Sequence, residues 1–335
     1  MSPVGGGVLT FGETMAQFRG DGIGSLSHER SLRAGMGGAE SNVAIGLRRL
    51  GVPVRWIGRV GADPLGRLIA RELRAEDVDA TVITDPHAPT GLMIKESRAR
   101  GITSVLYYRA GSAGSRLRPG DVPDEAVRAA GLVHVTGITA ALSDSALDTV
   151  RHAVAVARRA GVPVSFDLNY RKALWDTDRA RDVYRELLAA SDIVFAGEDE
   201  AAIAVGSPSP EAPGGDGGPA VPGELADPGE LAGKLSALGP PEAVVKLGER
   251  GAVALADGRL YERDAVAVTP VDTVGAGDAF VAGYLSEVLA GHGPGDRLRT
   301  ATVTGAFACL SPGDWEGQPR TDELHLLDAA ERVIR

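Results

Sequence analysis

Short valine- and isoleucine-rich runs alternate along this chain with stretches whose apolar residues recur every three or four positions. That alternation predicts parallel strands joined by crossover helices, hence an α/β fold with a mostly parallel central sheet flanked by helices. The expected strands cover residues 8–11, 54–58, 132–136, 162–168, 192–196 and 243–247. The helical period is clearest in Leu65, Leu68, Ile69 and Leu73. It returns in Phe280, Tyr284 and Val288, with Val281, Leu285 and Leu289 beside them. In an open parallel sheet ligands bind beyond the carboxyl ends of the strands, so the chemistry is sought there.

Two regions break this rhythm. Residues 13–36 and 91–109 read as strands of a small accessory sheet, the second through polar alternation around Leu92, Ile94, Val105 and Tyr107. A β-sheet lid over the crevice is expected. The α/β core then comprises 1–12, 37–90 and 110–335. Within it, residues 206–230 are dominated by proline, glycine, serine and acidic side chains, which cannot bury a core. A flexible loop between a strand and a helix is predicted there.

A formal charge of -10 without a dense lysine or arginine run argues against nucleic acid and anionic membrane as partners. No window approaches the roughly 18 consecutive apolar residues of a membrane span. Cys309 is the single cysteine, which excludes an internal disulfide, and no charged-then-apolar signal segment opens the chain. A cytoplasmic enzyme is the expectation. The histidines at 28, 87, 134, 152, 292 and 325 show no metal-site spacing.

The sharpest motif is Asp272-Thr273-Val274-Gly275-Ala276-Gly277-Asp278-Ala279-Phe280, three small residues leading into an amphipathic helix. Gly275, Ala276 and Gly277 let backbone amides approach an anion, and the helix N-terminus adds partial positive charge. Asp278 could accept a proton from an attacking hydroxyl while those amides hold a phosphoryl group. A carboxylate that only caps the helix is the plainer alternative.

That string, with Gly35-Met36-Gly37-Gly38-Ala39-Glu40-Ser41-Asn42, resembles the two signature regions of the ribokinase family, the PfkB carbohydrate kinases. The resemblance implies a ribokinase-like fold, ATP and magnesium as cofactors, and a small sugar or sugar acid as substrate. By the same resemblance Gly37, Gly38 and Asn42 meet the substrate, Gly275, Ala276 and Gly277 form the anion hole, and Asp278 is the catalytic base. Further strings resemble the 2-keto-3-deoxygluconate kinase branch: Tyr107-Tyr108-Arg109, Gly137-Ile138-Thr139, Asp167-Leu168-Asn169-Tyr170-Arg171 and Gly313-Asp314-Trp315-Glu316-Gly317. A sugar acid calls for a cation, and arginine offers a planar bidentate fork. Arg109 and Arg171 are the candidates, converging on one end of the pocket, with Tyr107, Asn169 and Asp314 for hydroxyl groups. Surface or ion-pair roles are the ordinary alternative for both arginines.

Lys246-Leu247-Gly248-Glu249-Arg250-Gly251 resembles the family's ATP-binding segment, with Gly248 and Gly251 admitting the nucleotide and Arg250 touching its phosphates. Glu200 stands where the family places a glutamate linked to magnesium, and a helix-capping acid is the alternative. Three positions depart from the pattern. Gly197 replaces asparagine or serine, so its hydrogen bond must come from water or backbone. Thr302 replaces an asparagine near the adenine. Met93 replaces a tyrosine beside the substrate. The reading is an ATP-dependent kinase of the 6-hydroxyl of 2-keto-3-deoxygluconate, in a homo-oligomer with a dimer through the lid sheet expected. A kinase of fructose or ribose and a non-catalytic sugar-binding sensor are the alternatives. A dinucleotide-dependent dehydrogenase lacks its glycine fingerprint after the first strand.

Overall fold

The computed structural model describes residues 6–99, 102–207 and 227–327. Its strands are β1 (Val8–Phe11), β2 (Met15–Gly20), β3 (Leu32–Gly37), β4 (Val54–Gly61), β5 (Asp79–Asp85), β6 (Leu92–Ala99), β7 (Ile102–Tyr108), β8 (Leu132–Thr136), β9 (Val164–Asp167), β10 (Ile193–Gly197), β11 (Glu242–Lys246), β12 (Ala252–Ala256) and β13 (Arg259–Arg263). The helices are α1 (Ala39–Arg49), α2 (Pro64–Ala75), α3 (Asp124–Ala129), α4 (Gly137–Leu142), α5 (Asp144–Ala160), α6 (Thr177–Leu188), α7 (Glu198–Val205), α8 (Pro228–Ala237), α9 (Ala276–Leu289) and α10 (Pro294–Ala308).

Among the described residues the larger sheet runs β13-β12-β11-β10-β9-β8-β1-β4-β5. Seven of its strands, from β11 through β5, pair in parallel, while β12 and β13 add an antiparallel edge. Successive residues of a strand face opposite sides, so each strand feeds two cores. Val133, Val135, Phe166 and Val245 pack toward α5 and α6, while Leu132, Phe195 and Val244 pack with Tyr284 and Leu285 of α9. The carboxyl ends of β1, β8, β9, β10 and β11 consequently point to one edge of the molecule.

The sequence pattern predicts no strand at β5, β12 or β13. Ala252–Ala256 is alanine-rich and Arg259–Arg263 is largely exposed and polar, so neither carries the β-branched signature of a central strand. Strand β5 sets half-buried Ala80, Val82 and Ile83 among exposed Thr81 and Thr84, between two aspartates. The segment 206–230 departs differently: its described flanks are α7 and α8, so it joins two helices and not a strand to a helix. Residues 208–226 lie outside the described residues.

The second sheet, ordered β3-β2-β6-β7, is the expected lid. Register places Gln17 opposite Met93, Met93 opposite Tyr107 and Lys95 opposite Val105. Met15, Gln17, Met93 and Lys95 are buried on the inner face, while Leu32, Leu106 and Tyr108 are exposed.

Candidate functional site

Helix α9 begins without a side-chain cap: Gly275 at its N-cap is left-handed, with φ 80°. Any Cβ there would also collide with the Asp314 carbonyl oxygen, so only glycine fits. Ala276 N donates to the Thr273 carbonyl at 3.3 Å and Ala279 N to that of Gly275 at 2.9 Å, which among the described residues leaves the Gly277 and Asp278 amides to serve an anion. Asp278 stands in that turn, and the Asn42 amide donates to its Oδ2 at 2.7 Å. Asn42 therefore orients the carboxylate, a role different from the substrate contact expected of it. Burial pushes the Asp278 pKa up, to about 7, against the Asn42 hydrogen bond and the positive charges of Arg171 and Lys246, while Asp167 adds to the rise. A carboxylate tuned near neutrality suits proton abstraction better than capping.

Asp278 opens into a cleft of about 400 Å³ beneath the lid. Gly275, Gly277, Gly38, Asn42, Met93 and Tyr107 line it. So do Arg109, Asn169, Arg171, Asp314, Gly197, Glu200 and Lys246. Thus almost every expected substrate residue is gathered in one place. Gly37 lies just behind the wall, where a side chain would strike the Asp314 carboxylate and the Met93 methyl. Asn169 adopts a left-handed φ of 39°, a conformation uncommon for a side-chain-bearing residue and enriched at functional sites.

A second cleft of about 730 Å³ adjoins the first across Lys246, Thr273 and Gly277. Gly248, Arg250, Gly251, Ala276 and Thr302 line it, with an apolar wall of Val266, Val268, Pro270, Phe280 and Ala306. The Thr302 hydroxyl donates back to the Arg299 carbonyl at 3.0 Å.

Several side chains are engaged otherwise than their sequence reading implied. Arg109 is not a free cation: its Nε donates to Glu13 Oε2 at 2.7 Å, its guanidinium lies 5.8 Å over the Tyr107 ring, and Ser112 holds the other Glu13 oxygen. Arg250 reaches across to Glu198. Glu200 caps α7, accepting from Gly197 N at 2.7 Å and Tyr170 N at 2.9 Å. Asp314 Oδ1 is taken by Lys95 at 2.9 Å and Gln17 at 2.6 Å, leaving Oδ2 toward the cleft. Lys246 is bound through both oxygens of Asp167 at 2.9 Å. Burial lowers the Lys246 pKa, but Asp167 and Glu200 outweigh it and keep the ammonium charged.

Glu13, Gln17 and Lys95 escaped the sequence reading altogether. Each is a polar residue buried by contacts with segments far away in the chain, and only Lys95 left a trace, as a lone charge at an inward position of an alternating strand.

A small-residue helix start that can cradle an anion, a near-neutral aspartate beside it, and two adjoining clefts form the outline of a phosphotransferase. The sequence profile of the pfkB family carbohydrate kinase matches residues 7–320. A 2-dehydro-3-deoxygluconokinase of Bacillus subtilis is 35% identical over 333 residues, covering 97% of this chain and 96% of its own. A fructokinase of Klebsiella pneumoniae is 34% identical, covering 86% and 90%. The solved structure of 2-dehydro-3-deoxygluconokinase from Thermotoga maritima superposes with a TM-score of 0.83 at 25% identity, covering 96% of this chain and 97% of that one. With the fold, the clefts and the matched signature in agreement over nearly its whole length, the chain belongs to the pfkB family and is a carbohydrate kinase.

Proposed function

We propose that this kinase transfers the γ-phosphoryl group of ATP to the 6-hydroxyl of 2-keto-3-deoxygluconate. The observation that carries the reading is that Arg109 and Arg171 line the same cleft as Asp278. Glu13 engages Arg109 along its Nε and Nη2 side, which leaves Nη1 for a sugar carboxylate. Arg171 is exposed and bonds only a neighbouring carbonyl through Nη1 among the described residues, at 2.9 Å, so its guanidinium can turn toward the acid. The acid anchored at that end directs its far hydroxyl to Asp278.

Asp278 takes the hydroxyl proton as the oxygen attacks the γ-phosphorus, and the bond to the β-phosphate oxygen breaks to release ADP. The α9 amides and Lys246, whose Nζ is 3.7 Å from where a Cβ would stand on Gly277, hold the charge that builds on the phosphoryl oxygens. The second cleft fits the nucleotide, its apolar wall taking the base and its shared floor taking the phosphates. Glu200 would help hold a magnesium ion, which would offset phosphate charge. The lid excludes water and suppresses hydrolysis.

A neutral sugar is the second reading, favoured by the Arg109–Glu13 pairing and by the Klebsiella pneumoniae relative named a fructokinase. Steady-state kinetics on the sugar acid, fructose and ribose separate them. The acid should lead in kcat/KM by about 10² or more, and Arg171→Ala should shrink that lead by harming the acid selectively. Equal use of fructose or ribose by the parent, or a uniform loss in the variant, rejects the acid. A parent that consumes no ATP with any of them rejects both readings.

A further inference from the structure

We propose that Lys95 is a positioning residue for phosphoryl transfer, fastening the lid at once to the loop that forms the anion hole and to the loop that presents Asp314. The inference rests on the sugar-kinase reading of the same site.

Lys95 lies on β6, inside the lid and 3% exposed. Its ammonium sits 2.7 Å from Asp272 Oδ2 and 2.9 Å from Asp314 Oδ1. Asp272 opens the anion-hole loop: its Oδ1 accepts from Val274 N at 3.1 Å and its Oδ2 from Gly313 N at 3.3 Å. Asp314 abuts that loop from the other side, since its carbonyl fills the space a side chain on Gly275 would need. One cation thus joins a lid strand to the residues on both sides of Gly275. Gln17, from the neighbouring lid strand, donates to the same Asp314 oxygen at 2.6 Å.

The charge count shows why a neutral residue would not serve. Asp272 and Asp314 are 7% and 5% exposed. Removing the ammonium leaves two buried carboxylates facing each other without a cation, which forces one to protonate or the loops to part. Burial lowers the Lys95 pKa, yet Asp314 and Asp272 outweigh it and hold the side chain charged. Either response moves the Gly275 backbone, and with it the amides that face the phosphoryl group. It also swings Asp314 Oδ2 away from the sugar. Lid position and reaction centre are therefore set together, so that the phosphate cradle is in register only when the lid is.

The test compares full-length parent, Lys95→Met and Lys95→Arg, measuring sugar phosphate and ADP in parallel and folded fraction by near-ultraviolet circular dichroism. A misplacement of this kind is expected to lower kcat by about 10² in Lys95→Met. The KM for ATP should stay within about threefold, because the lost interaction acts in the transition state. ADP should exceed sugar phosphate, since a lid out of register admits water. Lys95→Arg, which keeps the charge, should recover about tenfold of the lost rate. If Lys95→Met makes equal amounts of both products and loses rate only in proportion to its folded fraction, Lys95 is a structural rivet and the proposal fails. Should Lys95→Met not fold, Gln17→Leu replaces it: a smaller loss of kcat with excess ADP supports the proposal, and parent-like coupling overturns it. A parent that phosphorylates no sugar overturns the kinase reading itself, a result distinct from a working parent with an indifferent Lys95→Met.

Discussion

The cleft under the lid and the cleft beside it share Lys246, Thr273 and Gly277, yet their walls are built from different chemistry. In the first, three of the lining charges are held by other charges: Arg109 by Glu13, Lys246 by Asp167, and Asp314 by Lys95. The second is walled by Ala265, Val266, Ala267, Val268, Pro270 and Phe280, beside Lys246, Glu249 and Arg250. A pocket of fixed hydrogen-bonding groups rejects a ligand that leaves them unpaired, whereas an apolar slot grades ligands by fit alone. Under the proposed function, the difference assigns the choice of sugar and the timing of chemistry to the lid side and affinity for a planar base to the other.

The sharpest way to break this division is Asp278→Asn. The amide keeps the bond with Asn42 but cannot take a proton, so kcat should fall by about 10² to 10⁴. The KM for ATP should hold. A matching loss of nucleotide affinity, read by titration calorimetry, would show that the two clefts do not divide the work.

The next largest effect is in pH. On the proposed mechanism the working form of Asp278 is the ionised one, and with its pKa raised to about 7, kcat/KM for the sugar should climb about tenfold per pH unit below that point and level off above it. The same shift has a stability sign. A carboxyl whose folded pKa exceeds its unfolded value favours the fold in its neutral form, fully at acidic pH, and loses that contribution as pH rises through the folded pKa. The Tm of Asp278→Asn should therefore gain on the parent between about pH 5 and pH 8. A pH-independent difference in Tm would place the titrating group elsewhere.

The smallest effect probes the apolar wall. Val266→Asp puts a charge where a base would rest, and the KM for ATP should rise about tenfold while the KM for sugar is unchanged. An equal rise in both would mean that the wall also shapes the lid-side cleft.

How much of this was legible beforehand follows from where each signal resides. Strand period, helix period and the small-residue string from Asp272 to Asp278 are local, and a local pattern needs no knowledge of distant partners. The α/β class, the two segments of the second sheet and the small-residue turn that opens α9 could accordingly be read from the chain. Strands β12 and β13 could not, because an alanine-rich strand and a polar edge strand are made by pairing and not by propensity. The site divides in the same way. Residue types suited to a sugar, a phosphate and a base could be named, but whether an arginine is free or already paired depends on which carboxylate folds against it. Glu13 lies 96 residues from Arg109, and Asp314 lies 219 from Lys95. Only the tertiary structure decided those pairings, since a buried charge takes its partner from whatever segment the fold brings within hydrogen-bonding reach.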